Sequence, residues 1–547
     1  MNLLNDPWFS VRRRDGDDFM TPWQLTTDYE TNPVVSLNAP RVDFNGAIIQ
    51  LLIGLIQTTM PPDDIVEWKE RFFKPPTPTD LKTAFSEVEE AFNLDGKWPR
   101  FMQDETFSRK DKKNPVMELL IDSVGKGGTH FVKFIPNQGF CKACAATALF
   151  TLQTNAPAGG TGHQTSVRGG GPLTTLLMCS PADRQETPTL WQTIWLNIIP
   201  KETVEHLVDD SKTELKYIFP WLDDTPIDAK KGRDIALAQV HPLQMYWGMP
   251  RRIRLDFDNT ITGDCAVCGK HDTLITHYRT KNYGLNYHGE WRHFLSPYYF
   301  AKEDTKKKED TKKKEPSKIS EAPEKPSKIW LPLHQRGMIH YCDWLGFLIQ
   351  DNEQNVRRAE IVKEFETQKH CLLNGKYDLR LWAFGYDMDN MKPRCYYESF
   401  MPLFYLETEP LRHRFEGAVE KLISAADKIR GNLETCIKQA WLSKDDPRRK
   451  KNQSAIDNIN NAFWQDTEVQ FYELLDRLHK SNEKEDNRQD IYRQWHKFLC
   501  DYTITEFDRW ANCNQIVQKN LRRIAEARRN LKRLNFNKDI KKLLELD

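Results

Sequence analysis

The chain has 547 residues, and its 79 Lys+Arg against 78 Asp+Glu leave a net charge of +1, so no global basic field marks it for nucleic acid and any such partner is met by local patches. That length exceeds what one hydrophobic core supports, and two or more domains are expected. Eleven cysteines, an odd number in a long chain, exclude the evenly paired framework of a small secreted domain and fit a reducing cytoplasm.

No basic leader followed by an uninterrupted apolar stretch opens the sequence. The longest apolar run, GAIIQLLIGLI at 46–56, is short and interrupted by a polar residue. A non-secreted protein of the cytoplasm without a membrane span is the expectation.

Residues 1–402 mix strand-like runs, helices and many Pro and Gly breaks, which predicts an irregular α+β domain. In 125–140, GKGGTHFVKFIPNQGF, Lys126 and Lys133 interleave with Phe131 and Phe134. Aromatic and basic residues together suit stacking on a base and neutralising its phosphate, although a strand with Phe131 in the core reads similarly. Next, Cys141-Lys-Ala-Cys144 opens a helical stretch, and Cys265-Ala-Val-Cys268-Gly follows beyond residues 145–264. Two such pairs supply the four thiolates of a closed tetrahedral zinc site, although zinc pairs usually stand closer in sequence. The competing readings are a redox pair, which leaves the second copy unexplained, and buried free cysteines, as expected for the other seven. Residues 251–258, RRIRLDFD, alternate charged and apolar as a half-exposed strand does.

Between the two pairs, 155–175 reads NAPAGGTGHQTSVRGGGPLTT. Its glycines bare backbone N–H groups and allow close approach of another molecule. The stretch lacks the GKS or GKT of a phosphate loop. It is either a turn-rich connector or a loop lying in a nucleic-acid groove with Arg168 beside a phosphate. Residues 302–328, with the repeated KEDTKKKE, cannot pack a core and predict a disordered insertion. In 385–398, GYDMDNMKPRCYYE, Asp387 and Asp389 stand two apart. Such a pair can hold Mg²⁺, so a metal-dependent nuclease or nucleotidyl transferase is the alternative function, without a third carboxylate cluster to support it. His271-Asp272 is a weaker hydrolase-like signal of the same kind.

Residues 403–547 turn helical. Phe415, Val419, Leu422, Ala426, Ile429, Leu433 and Ala440 follow three-and-four spacing, as do Val517, Leu521, Ile524, Leu531 and Leu534; with helices over 455–480 and 488–512 between them, a four-helix bundle is predicted. The last helix is read as carrying Lys519, Arg522, Arg523, Arg528, Arg529, Lys532, Arg533, Lys538, Lys541 and Lys542. That face is either a phosphate-facing patch or a solvated outer surface.

Taken together, the opening MNLLNDPWFSVRRRDG, the C-x-x-C before AATALF, the NAP…GG…VRGGGPLTT loop, the distant CAVC, the GYDMDN segment and the helical C-terminal quarter resemble the CasA family. CasA is the large subunit of the type I-E CRISPR surveillance complex, Cascade. The resemblance implies a non-enzymatic subunit of antiviral defence, with no catalytic residues. Its implied partners are the other Cascade subunits, the crRNA 5′ end, double-stranded DNA bearing a protospacer-adjacent motif (PAM), and the helicase–nuclease it helps recruit. Guide pairing then reads the long sequence while this subunit reads the short duplex signal and starts strand separation for R-loop formation.

Carried onto this chain, the glycine loop that approaches the PAM through the minor groove falls on Ala158, Gly159, Gly160, Thr161 and Gly162. Ala158 and Thr161 stand where relatives can have glycine, which implies a different PAM preference. A lysine reaching the same groove corresponds to Lys281. The strand-separating wedge falls on Asn390, Met391 and Lys392, with Met391 apolar enough to enter a base step. Phe131 and Lys133 fall in the loop that docks at the crRNA 5′ end, and Cys141, Cys144, Cys265 and Cys268 match the family's structural zinc site.

Overall fold

A computed structural model describes residues 1–108, 111–123, 138–181, 187–302, 328–348, 356–373, 377–389, 392–404, 406, 408–442, 453–481, 485–511 and 520–546. It is mixed α/β, with several small sheets and a helical C-terminal region. Two compact units emerge: Met1–Gly337 with Gln350–Phe400, and Met338–Ile349 with Met401–Asp547.

The first unit forms around α1 (Val42–Thr59). Phe44, Ala47, Ile48, Leu51, Leu52, Leu55 and Ile56 are all buried. Such a helix, apolar on every side, belongs inside a core. It is longer than the apolar run suggests and has the length and apolarity to cross a membrane, but 78% of it is buried within the fold. α2 (Lys142–Asn155) and α3 (Leu190–Leu196) pack against it. An aromatic cluster fills the adjoining space, where the Trp247 ring lies 5.2 Å from Phe219 and 5.4 Å from Phe92.

The strands that frame the site are β1 (Lys113–Pro115), β2 (Thr174–Pro181), β3 (Arg252–Leu255), β4 (Thr260–Asp264), β5 (His271–Ile275), β6 (His277–Lys281), β7 (Tyr298–Lys302), β8 (Lys328–Pro332), β9 (Tyr377–Asp389) and β10 (Lys392–Leu403). β6 is the centre of a three-stranded sheet, with β1 on one side and β3 on the other. β4 and β5 form an antiparallel hairpin, and β9 lies between β10 and β2. The half-exposed strand expected over 251–258 is more buried than its alternation suggests. Arg252 is pulled inside by an ion pair to buried Asp104 at 2.6 Å. The lysine-rich insertion connects β7 to β8, where Lys302 pairs with Lys328; residues 303–327 lie outside the described residues.

In the second unit α4 (Glu409–Trp441), α5 (Gln453–Lys480), α6 (Glu485–Ala511) and α7 (Leu521–Asn535) are the long helices, followed by a short α8 (Lys538–Leu543). The single basic last helix is therefore two: Asn537 caps α8 through the Asp539 N–H, so Lys538, Lys541 and Lys542 leave the axis of α7. Lys519 lies outside the described residues. The unit also takes in residues 338–349, which the sequence places in the first domain. Tyr341 stacks on Phe471 with ring centres 4.2 Å apart, and its hydroxyl shares a 2.9 Å hydrogen bond with Thr467 Oγ1.

Candidate functional site

The two cysteine pairs meet. Cys141 is the N-cap of α2 and Cys144 lies in its first turn. Cys265 and Cys268 sit at the tip of the β4–β5 hairpin, which closes with the Gly269 N–H donating to Cys265 O at 2.9 Å while Gly269 takes a φ of +73° that favours glycine. The two parts are stitched by the Ala266 N–H to Gly139 O at 3.0 Å, and by reciprocal bonds between Phe140 and Ile275 at 2.8 and 2.9 Å.

All four Sγ atoms lie within 4.8 Å of one another, and Cys141 Sγ and Cys268 Sγ are 3.8 Å apart. A tetrahedron with metal–sulfur bonds of about 2.3 Å places its sulfurs about 3.8 Å apart, so these residues fit a zinc-sized divalent ion. Hydrogen bonds from Cys141 and then Cys144 hold the Cys265 thiol far below its usual range, whereas the bond to Cys141 raises Cys144. Cys265 is thus the thiol most ready to ionise, and a bound cation would favour the thiolate at Cys144. Four thiol ligands leave no open position for catalysis. Among the described residues this is the one group of three or more metal-ligating side chains. Of the remaining cysteines, Cys179, Cys436 and Cys500 are buried as expected, but Cys371 and Cys395 are exposed and Cys342 is intermediate; Cys513 lies outside the described residues.

At the other end of α2 the chain enters the glycine loop. Ala158, Gly159, Gly160 and Thr161 are exposed, and Gly160 and Gly162 adopt φ values of +86° and +77°. A Cβ at Gly162 would lie 2.7 Å from Asn282 Cβ, so glycine is required there on both conformation and space. The loop is pinned on both sides. The Arg251 guanidinium donates to Pro157 O, Asn282 Nδ2 donates to Thr161 O at 3.0 Å, and the Tyr283 N–H donates to Gly162 O at 2.7 Å. Residues 282 and 283 directly follow Lys281, so the loop and Lys281 share one frame. Lys281 Nζ donates to Thr106 O at 3.0 Å, pairs with Asp111 at 3.1 Å and lies 4.7 Å from the centre of the Phe107 ring. Its side chain remains 31% exposed. Sequence reading missed Arg251, Asn282 and Tyr283 as loop supports. Tyr283 takes a φ of +61°, a conformation that a tyrosine code does not announce.

Arg168 corrects an expectation. It is buried and donates to Thr174, Ser296 and Gln50, so its guanidinium cannot reach a phosphate from this position. Asp387 is likewise buried and paired with Arg394 at 2.9 Å. Asp387 and Asp389 join no metal-ligating cluster among the described residues. His271 pairs with Asp264 at 2.8 Å. Lys392 is exposed at the start of β10; Asn390, Met391, Phe131 and Lys133 lie outside the described residues.

On α7, Arg528 forms a two-pronged ion pair with Asp508 of α6 at 2.6 and 2.7 Å, and Arg523 caps the C-terminal end of α4 through Ala440 O and Trp441 O. These two basic groups are thus bonded to other helices of the unit. Arg522, Arg529, Lys532 and Arg533 are the exposed ones, with Arg522 paired to Glu526 of the same helix at 2.9 Å.

The family model described as CRISPR-associated protein Cse1 matches residues 2–505. Among solved structures, Thermobifida fusca Cse1 superposes with a TM-score of 0.69 at 17% identity, covering 100% of this chain and 98% of that one. Thermus thermophilus CasA gives 0.65 at 15% identity over 98% and 99% of the two chains. A chain of a structure titled CRISPR RNA-guided surveillance complex gives 0.64 at 13% identity, again over 98% and 99%.

Proposed function

Because this chain belongs to the CRISPR-associated protein Cse1 family, we propose that it is the large, non-catalytic subunit of a type I-E Cascade complex in the cytoplasm. In this reading it recognises the PAM in double-stranded DNA, starts strand separation, and helps recruit the helicase–nuclease. The observation that carries the proposal is the shared frame of the exposed glycine loop and Lys281. A loop without bulky side chains lets backbone approach the floor of a minor groove, and a neighbouring cation supplies attraction and a donor. The groove's degenerate pattern then gives tolerant recognition of a short motif. Lys281 exchanges its bonds to Thr106 and Asp111 for nucleic acid as it engages.

The four cysteines hold structural zinc, which fixes the N-terminus of α2, while the other end of that helix delivers the glycine loop. Met391, flanked by Asn390 and Lys392 between β9 and β10, is the proposed wedge; an apolar side chain there unstacks a base step. Phe131 and Lys133 meet the crRNA 5′ end and neighbouring subunits.

Lys281→Ala tests the reading. In the assembled complex, binding to a target duplex with its PAM should weaken about tenfold, the scale of one lost groove contact, while binding to a scrambled-flank duplex and the melting curve stay the same. Equal loss on both duplexes would reduce Lys281 to a nonspecific phosphate contact.

The basic surface of α7 makes a separate prediction. Arg529→Glu combined with Lys532→Glu, leaving Arg528 on Asp508, should lower the slope of log affinity against log salt by about 2, with PAM preference unchanged. An unaltered slope returns this face to a solvated surface.

A further inference from the structure

Among the described residues, no opposite charge balances the buried Arg168. Its side chain is only 2% exposed. It donates to three neutral oxygens, Thr174 Oγ1 at 2.9 Å, Ser296 Oγ at 3.1 Å and Gln50 Oε1 at 2.6 Å. Among the described residues, the groups acting on it electrostatically are the phenols of Tyr298 and Tyr246, with no carboxylate among them. Burial lowers its pKa to about 10, so the guanidinium stays charged at neutral pH. A charge held away from water normally has an opposite charge beside it, because desolvation is too costly otherwise.

Next to Arg168 lies a cavity of about 10 Å³ whose walls include Gln50, Gln153, Ser166, Tyr246 and His293. Two of these side chains bring hydrogen-bond donors to the cavity wall. The Tyr246 hydroxyl, on a side chain 5% exposed, has no hydrogen-bond partner among the described residues. His293 Nδ1 accepts the Leu295 N–H at 3.2 Å, which places the proton of the neutral ring on Nε2. Burial, and then Arg168, keep that ring neutral. The Tyr246 and His293 rings meet edge to face with centres 4.9 Å apart.

We propose that this cavity binds one monatomic anion of chloride size as the counter-ion of Arg168. A single water could satisfy the Tyr246 hydroxyl but would leave the buried charge unbalanced, and space for about one water-sized sphere suits a monatomic ion better than a tetrahedral oxyanion. The anion sits where Gln50 of α1, the segment leading into β2, and residues 293–296 come together. Its role is to lock those three segments, independently of nucleic-acid recognition.

The test uses the full chain, with sodium gluconate replaced by sodium chloride from about 1 to about 100 mM at constant ionic strength. The unfolding midpoint should rise by about 2–4 °C and follow a one-site curve. Tyr246→Phe, which removes one donor and buries no new polar group, should fold and lose at least half of that shift. Arg168→Met should abolish it; if that variant does not fold, Tyr246→Phe decides. Crystals grown in bromide should show one anomalous peak beside Arg168. Three results would overturn the proposal: a midpoint indifferent to chloride, a full shift retained by Tyr246→Phe, or bromide crystals with only a water in the cavity.

Discussion

Cys144→Ser should strip the four-cysteine cluster of its metal and destabilise the first unit by at least about 4 kcal/mol, since structural zinc supplies folding energy outright. Cys144 is buried in the first turn of α2, and the cluster fastens that turn to a hairpin beyond residues 145–264. Serine is smaller and a poor zinc ligand, so three thiols remain crowded without the cation that favours their ionised form. Protein purified without added metal should contain about one zinc per chain, and the variant less than about 0.1. A strong chelator should lower the wild-type unfolding midpoint and leave the variant's unchanged. Wild-type protein that folds fully with less than about half an equivalent of zinc would refute a structural metal and return the cluster to packed free thiols.

Tyr341→Ala should cost the second unit about 3–5 kcal/mol, the range for deleting a large buried aromatic. Tyr341 is completely buried. Its ring stacks on Phe471 and meets Trp464 and Trp495 edge to face, with ring centres 5.0 and 6.1 Å away. The neighbouring Trp344 donates its indole N–H to Pro402 O at 2.8 Å. Tyr341→Phe keeps the stack and loses only the bond to Thr467, so about 1 kcal/mol is expected. Chemical denaturation followed by fluorescence separates the two variants. The same packing predicts that residues 403–547 expressed alone are less stable than when 338–349 is supplied. Wild-type stability in Tyr341→Ala would show that the segment merely rests on the bundle.

Patterns with few physical uses are legible in the sequence. Two C-x-x-C pairs in a chain otherwise poor in such spacing point to one tetrahedral site even when far apart, and three-and-four apolar spacing announces α4 and α7, although Leu521 of the last stripe is exposed. Tyr341 is hidden because nothing local distinguishes an aromatic that fills its own unit's core from one that completes another. The break between α7 and α8 is carried by Asn537, whose side chain caps as readily as it hydrates. Arg168 is misread for a related reason. An arginine beside glycines suits a phosphate, and only the three-dimensional arrangement shows its guanidinium turned inward to Gln50, Thr174 and Ser296. The glycine loop is legible as a place of close approach, but its supports are not. Arg251 and Asn282 are distant in sequence, and their value lies in the carbonyls they hold.

The most direct measurement is co-purification of the full chain, co-expressed with the other subunits of a type I-E surveillance complex and a CRISPR array. The account predicts a stable assembly containing this chain, the other surveillance-complex subunits and a short CRISPR RNA. A chain that stays apart from them, and instead cleaves DNA with Mg²⁺ or Mn²⁺ in a manner abolished by Asp389→Ala, would contradict it.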